Sequence, residues 1–352
     1  MVMIKIKSTG LVQQWINNYN TWAAHNEFYN QITHLPVVHS DDGIPCYSHR
    51  DIDSINSSTS STVVIDCLLE GIHSRNTFLK YNPDKHYIIF CSGWWDQDKI
   101  SLPFSYTLIH HFFYLFEMAD TYLSPNRFCF YLDKEYKFED NKPCEFVCMI
   151  GNKRPDRNFL IDTLKQKLDY SNYVLKYNGQ DLAQPCLDDI VYMEPGKFNS
   201  YLPLVEKYYH DLSQSLPIGM YNLAKFGLVV ESDLNLDHQF FLTEKAIKPL
   251  ITGFPFVLAG TPYFLKHLRE LGFVTYNSLW DESYDDIEDF ESRMLAVTQL
   301  CNQLAKFDWV EKRAELEHIK LLNRSNFFNL KNLVDFKFTQ AEQQLKKIAD
   351  ES

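Results

Sequence analysis

FGLVVESDLNLDHQFFLTEKAIKPLITGFPFVLAG, residues 226–260, carries the reading of the fold. A run of β-branched and apolar residues, FGLVVES (226–232), has strand length and ends at Glu231. A polar loop follows. Thr243 is a good N-cap, and Glu244 and Lys245 stand in the first turn of a helix expected over 243–252. Gly253 stops that helix, and PFVLAG (255–260) is the next strand. Strand, helix, strand in sequence is the grammar of an α/β unit with a parallel sheet. Pro249 falls inside the helix, where it costs about 3 kcal/mol or a kink, so a short helix is expected.

The same alternation extends in both directions. EFVCMIG (145–151) reads as a strand, RNFLIDTLKQKL (157–168) as a helix and YVLKYNG (173–179) as a strand. SYLPLVEKYYHDLSQSL (200–216) reads as a helix, YFLKHLRELG (263–272) as a helix and FVTYN (273–277) as a strand. Upstream, TVVIDCLL (62–69), HYIIFCSG (86–93) and RFCFYL (127–132) have strand character. YTLIHHFFYLFEMADTYL (106–123) is long enough for a buried helix. Residues 11–30 place Trp15, Tyr19 and Trp22 at helical spacing, residues 40–62 are polar and Ser-rich and read as a loop, and 286–350 reads as three helical stretches. At the start of that tail, SYDDIEDFES (283–292) reads as the exposed start of a helix.

These patterns predict an α/β protein of two Rossmann-like domains. The expected boundaries are 1–144 for the first domain, 145–285 for the second, and 286–352 for helices that pack across both. A length of 352 residues exceeds what one hydrophobic core serves, which agrees with two domains.

At strand ends in open α/β sheets, ligands bind. A helix N-terminus there offers N–H groups to a phosphate. Lys245 adds positive charge, and Glu244 can accept hydrogen bonds from a ribose diol. The plainer reading is a capped surface helix with two solvated charges.

The run F-x-L-T-E-K followed by P-F-V-L-A-G resembles the donor-binding motif of the family 10 fucosyltransferases and related viral and bacterial glycosyltransferases. FVCMIGNKRPDRNFLIDTL (146–164) is similar to that family's strand, loop and Arg-Asn helix start. The resemblance covers residues 145–285. It implies the two-domain GT-B fold with the domains facing a cleft, residues 1–144 as the acceptor-side domain and 145–285 as the nucleotide-sugar donor domain. It implies that Glu244 holds the ribose and that Lys245 and Arg157 meet the diphosphate. Lys153, Asn158, Glu231 and Thr243 complete the donor-binding set that the match brings with it. The sugar fucose is not implied.

An inverting transferase needs a base for the acceptor hydroxyl. Asp96, after the HYIIFCSG strand and beside Trp94 and Trp95, is the first candidate, and Glu70 the second. His110 and His111 sit in an apolar run and read as core residues. DQD (96–98) fits the pattern of a metal-binding pair, yet Lys and Arg groups are available to neutralise a diphosphate, so no metal and no resident cofactor is expected; the nucleotide sugar is a co-substrate.

The formal net charge is −12 and the pI about 5.5. That balance argues against DNA or an anionic membrane as the main partner. Eight cysteines are scattered in apolar runs, which suits a reducing compartment. No signal peptide and no membrane span is read, so the expectation is a cytoplasmic protein. Three function classes stay open. One is sugar transfer to a glycan or small molecule. Another is glycosylation of hydroxymethylated bases in viral DNA. The third is nucleotide binding without catalysis.

Overall fold

The structure is a computed structural model. It describes residues 4–7, 37–67, 75–95, 101–111, 136–139, 142–150, 154–169, 173–177, 180–183, 221–235, 239–328 and 347–348. The chain divides into two compact units. The first comprises residues 1–116, 236–242 and 329–352, and the second comprises 117–235 and 243–328.

The first unit holds a six-stranded sheet. Its strands are β1 (Ile4–Lys7), β2 (Val37–His39), β3 (Ile44–Ser48), β4 (Thr62–Cys67), β5 (His86–Ser92) and β7 (Ser105–His111), in the order β2-β1-β3-β4-β5-β7. Every pairing is parallel. A parallel sheet is covered on both faces, so its strands read as continuous apolar runs rather than alternating ones. In β5 only His86 is not buried. Two short helices, α1 (Ile52–Ser57) and α2 (Arg75–Phe78), accompany the sheet. Phe78, Tyr81, Tyr87 and Phe104 close the core through edge and stacked ring contacts. A separate two-stranded ladder pairs β6 (Trp94–Trp95) antiparallel with β12 (Gln239–Phe240). Gly93 makes that approach, at φ 95°, where any Cβ would collide with the Phe240 carbonyl oxygen.

The second unit holds a five-stranded sheet. Its strands are β8 (Cys144–Ile150), β9 (Val174–Tyr177), β10 (Gln180–Ala183), β11 (Ala224–Val230) and β13 (Phe256–Ala259), in the order β10-β9-β8-β11-β13. Four of them run parallel, and β10 is an antiparallel edge. The helices are α3 (Pro155–Lys167), α4 (Glu244–Thr252), α5 (Phe264–Glu270), α6 (Phe290–Leu304) and α7 (Arg313–Phe328). Helix α6 packs on α3 and α7 on α4. Both units are therefore α/β, with parallel sheets compatible with a Rossmann-like fold.

Several expectations need correction. Residues 106–111 are strand, not helix: β7 carries Tyr106, Thr107 and Ile109, and a short apolar run in a covered parallel sheet has no period that separates it from a buried helix. Residues 40–62 are not one loop, for they contain β3 and α1. The polar text hid both: Pro45 argues against a central strand, and the cue for α1 is the single cap Asp51, whose side chain accepts from Ser54 N. Residues 273–277 form no strand, because Asn323 of α7 takes the backbone N–H and C=O of Val274 at 2.7 and 2.9 Å. The acidic run 283–292 is not an exposed helix start, since Tyr284 and Asp285 are buried in a 3-10 turn ahead of α6.

Helix α4 tolerates Pro249 and still runs nine residues. Gly253 ends it in the left-handed region at φ 72°, and the Lys320 stem packs where a Cβ would be. The expected elements at 11–30, 127–132 and 200–216, and the third helical stretch of the tail, lie outside the described residues. No helix among the described residues is long and apolar enough to cross a membrane.

Candidate functional site

The second sheet has a topological switch. From β8 the chain passes through α3 to β9 on one side, and β11 later joins β8 on the other. Connections leaving β8 and β11 diverge, and the crevice beyond their carboxyl ends is where such sheets bind ligands. Arg154 and Arg157 at the start of α3, the polar residues that follow β11, and those that open α4 are gathered there.

Glu231 directly follows β11 and is 1% exposed. Its Oε2 accepts from Thr243 Oγ1 at 2.6 Å and from Ser232 N at 3.2 Å, and its Oε1 accepts from Thr243 N at 3.4 Å. Burial pushes the carboxyl above its ordinary value, against the pull of the Lys245 charge and the Thr243 hydroxyl. The Thr243 hydroxyl also accepts from Lys245 N, which caps α4. Glu231 thus fixes the residue from which the helix starts.

The next two side chains are partly buried, Glu244 at 16% and Lys245 at 27% exposure. Lys245 Nζ donates to Ser232 Oγ at 3.2 Å, Thr243 Oγ1 at 3.3 Å and Glu244 Oε1 at 3.1 Å. Burial works to raise the Glu244 carboxyl, but the Lys245 and Lys248 ammonium groups outweigh it and the net shift is downward. An ionised carboxylate and an ammonium therefore stand side by side at the first turn.

From the β8 side, Arg157 on α3 is 4% exposed and donates from Nη2 to the carbonyls of Glu231 and Ser232, both at 3.2 Å. Arg154, just before α3, donates from Nη1 to Ser232 O at 2.7 Å and to Asp233 Oδ1 at 2.9 Å. Asp156 accepts from Arg157 N and from Leu234 N. Ser232 is the common partner, bonded by Arg154 and Arg157 through its carbonyl and by Lys245 through its hydroxyl. Groups far apart in sequence thus meet at one loop; Arg154 and Asp233 are separated by 79 positions. Asn158 is exposed and donates its backbone N–H to Arg154 O, as expected for a helix start.

Sequence reasoning did not find Asp233, Ser232 or Arg293. Arg293 on α6 is 2% exposed and donates to the carbonyls of Leu234, Gly260, Ile287 and Glu288. Only a charged residue inside an apolar helical face signals it. Lys153, Asp96 and Glu70 lie outside the described residues, as do the side chains of Trp94, Trp95, His110 and His111. The backbones of both histidines are in β7.

A comparison of the sequence with models of known families finds no match, and a comparison with curated proteins finds none either.

Proposed function

We propose that this chain is a glycosyltransferase that moves a sugar from a nucleotide-sugar donor to a hydroxyl on a glycan or small molecule. The reading takes the two α/β units as the halves of a GT-B enzyme, with inversion at the sugar carbon. The observation that supports it most is the pairing of an ionised Glu244 with Lys245 at the start of α4, held beside the Glu231–Asp233 loop at the switch point of a parallel sheet.

In this reading the Glu244 carboxylate accepts hydrogen bonds from the ribose diol, and the Lys245 ammonium meets the diphosphate. As the glycosidic carbon–oxygen bond breaks, negative charge grows on the departing diphosphate, and fixed cations beside it lower the barrier. That neutralisation by side chains is the ground for a metal-independent reaction. The acceptor hydroxyl forms the new bond to the sugar carbon and gives its proton to a carboxylate, for which Asp96 and then Glu70 are proposed. Glu231 and Arg157 act beneath the surface, fixing the loop and the helix start.

The test is thermal unfolding with a panel of nucleotide sugars and their parent nucleoside diphosphates. A cognate donor at 100 times its Kd stabilises by about 2.7 kcal/mol. A rise in Tm with one nucleotide, followed by transfer or slow hydrolysis of its sugar, is the expected result. No stabilisation by any nucleotide would contradict the reading.

A further inference from the structure

The family resemblance assigns the diphosphate to Arg157, and the geometry points elsewhere. Arg157 is 4% exposed and holds the carbonyls of Glu231 and Ser232. Turning it toward a ligand strips two acceptors in the loop of their charged donor, which is costly for buried groups. Arg154 is differently placed. Its side chain is 34% exposed, and both of its hydrogen bonds leave from Nη1, one to Ser232 O and one to Asp233 Oδ1. A guanidinium has five N–H donors. The Nη2 and Nε donors of Arg154 therefore have no protein partner among the described residues.

We propose that Arg154 is the guanidinium that binds the donor's diphosphate, and that Asp233 is an internal anion which the diphosphate displaces. This rests on the donor-site reading above. Asp233 engages Arg154 with one carboxylate oxygen at 2.9 Å, and its charge also acts on the neighbouring Arg157. That pair engages one guanidinium N–H with a carboxylate that is 11% exposed, whereas a phosphate can take two guanidinium N–H groups in parallel. The exchange therefore favours the phosphate. Ser232 also suits two linked phosphates, for Arg154 binds its carbonyl and Lys245 its hydroxyl, so one cation stands on each side of it. Asp233 then has a specificity role. It repels weakly charged or misplaced anions that cannot compete for Arg154, and it keeps the guanidinium oriented in the empty site.

The experiment is calorimetric titration of the full chain with inorganic pyrophosphate and with the diphosphates of uridine, guanosine, adenosine and cytidine, using the matching uncharged nucleosides as controls. Asp233→Asn is expected to tighten diphosphate binding about two- to fivefold at low salt, the change from removing one competing charge. Arg154→Ala is expected to weaken it about ten- to a hundredfold. In the double variant, Asp233→Asn should bring a smaller gain than it does alone, because most of its effect passes through Arg154. Binding of the uncharged nucleoside should not move in any of the three. Unchanged or weaker diphosphate binding in a folded Asp233→Asn variant overturns the proposal, and so does unchanged binding in Arg154→Ala. If Asp233→Asn does not fold, the Arg154→Ala titration decides alone by the same criterion. If the unaltered chain binds diphosphates and only the variants depart from these expectations, the donor site stands and the exchange falls. If it binds none of the probes, both fall.

Discussion

Two loops of the second unit carry buried carboxylates, and they use them differently. In the Asp285 loop, Asp285 is 3% exposed and both of its oxygens accept backbone N–H groups, from Leu265 at 3.0 Å and Lys266 at 3.1 Å, at the first turn of α5. Glu282 beside it accepts from Tyr276 N and from Arg269. These carboxylates fasten a helix and a turn. In the Glu231 loop the buried carboxylate likewise secures a helix start, through Thr243, but the helix then sets the partly exposed pair Glu244 and Lys245 beside Ser232, just past the end of β11. Burial of an acid is common to both. What separates a fastening from a candidate site is what the fastened helix displays, and where on the sheet it does so.

Arg293 ties the two loops together, since it donates to Leu234 O in one and to Ile287 O and Glu288 O in the other. Arg293→Ala leaves buried carbonyls without their charged donor and is expected to have the largest effect, a loss of about 3–5 kcal/mol in urea unfolding. A loss below about 1 kcal/mol would show that the loops stand independently of each other.

The Asp285 loop carries a pH signature. Burial pushes Asp285 from its ordinary value of 3.8 up to about 6. The folded state then binds a proton more tightly than the unfolded chain does. The resulting stabilisation is full below the unfolded value and is lost as pH rises through about 6, a change of about 3 kcal/mol. Asp285→Asn should remove that slope. Unfolding free energies of both proteins across the span from the unfolded to the folded value test it, and their difference isolates Asp285 from Glu231 and Glu282, which burial also raises. A variant that keeps the full slope would assign it to another group.

The contrast between the loops also marks what could be read from sequence. The strands of the covered sheets were legible as apolar runs: IIFC in β5, FVCMI in β8 and LVV in β11 each signal burial on two faces. Thr243 and Gly253 announced both ends of α4, because capping is local chemistry. β7 misled for the same reason that β5 succeeded, since a continuous apolar run has no period. β3 and α1 were hidden because their stability comes from neighbours rather than from their own polar text. Arg293 and Asp285 could not be found: a charged residue reads as solvated until its partners, often many residues away, are in place. Glu231, Thr243, Glu244 and Lys245 were singled out by motif and lie together, but the inward turn of Arg157 and the partners of Arg154 depend on the Ser232 carbonyl, which no motif encodes.

The most direct measurement is the affinity of the cognate nucleotide sugar for the unaltered chain and for Lys245→Ala, by titration calorimetry at fixed salt. The account predicts a loss of about 1.5–3 kcal/mol in binding, the worth of a charge-assisted contact to phosphate. Equal affinity in the two folded proteins would contradict the placement of the donor site at the start of α4.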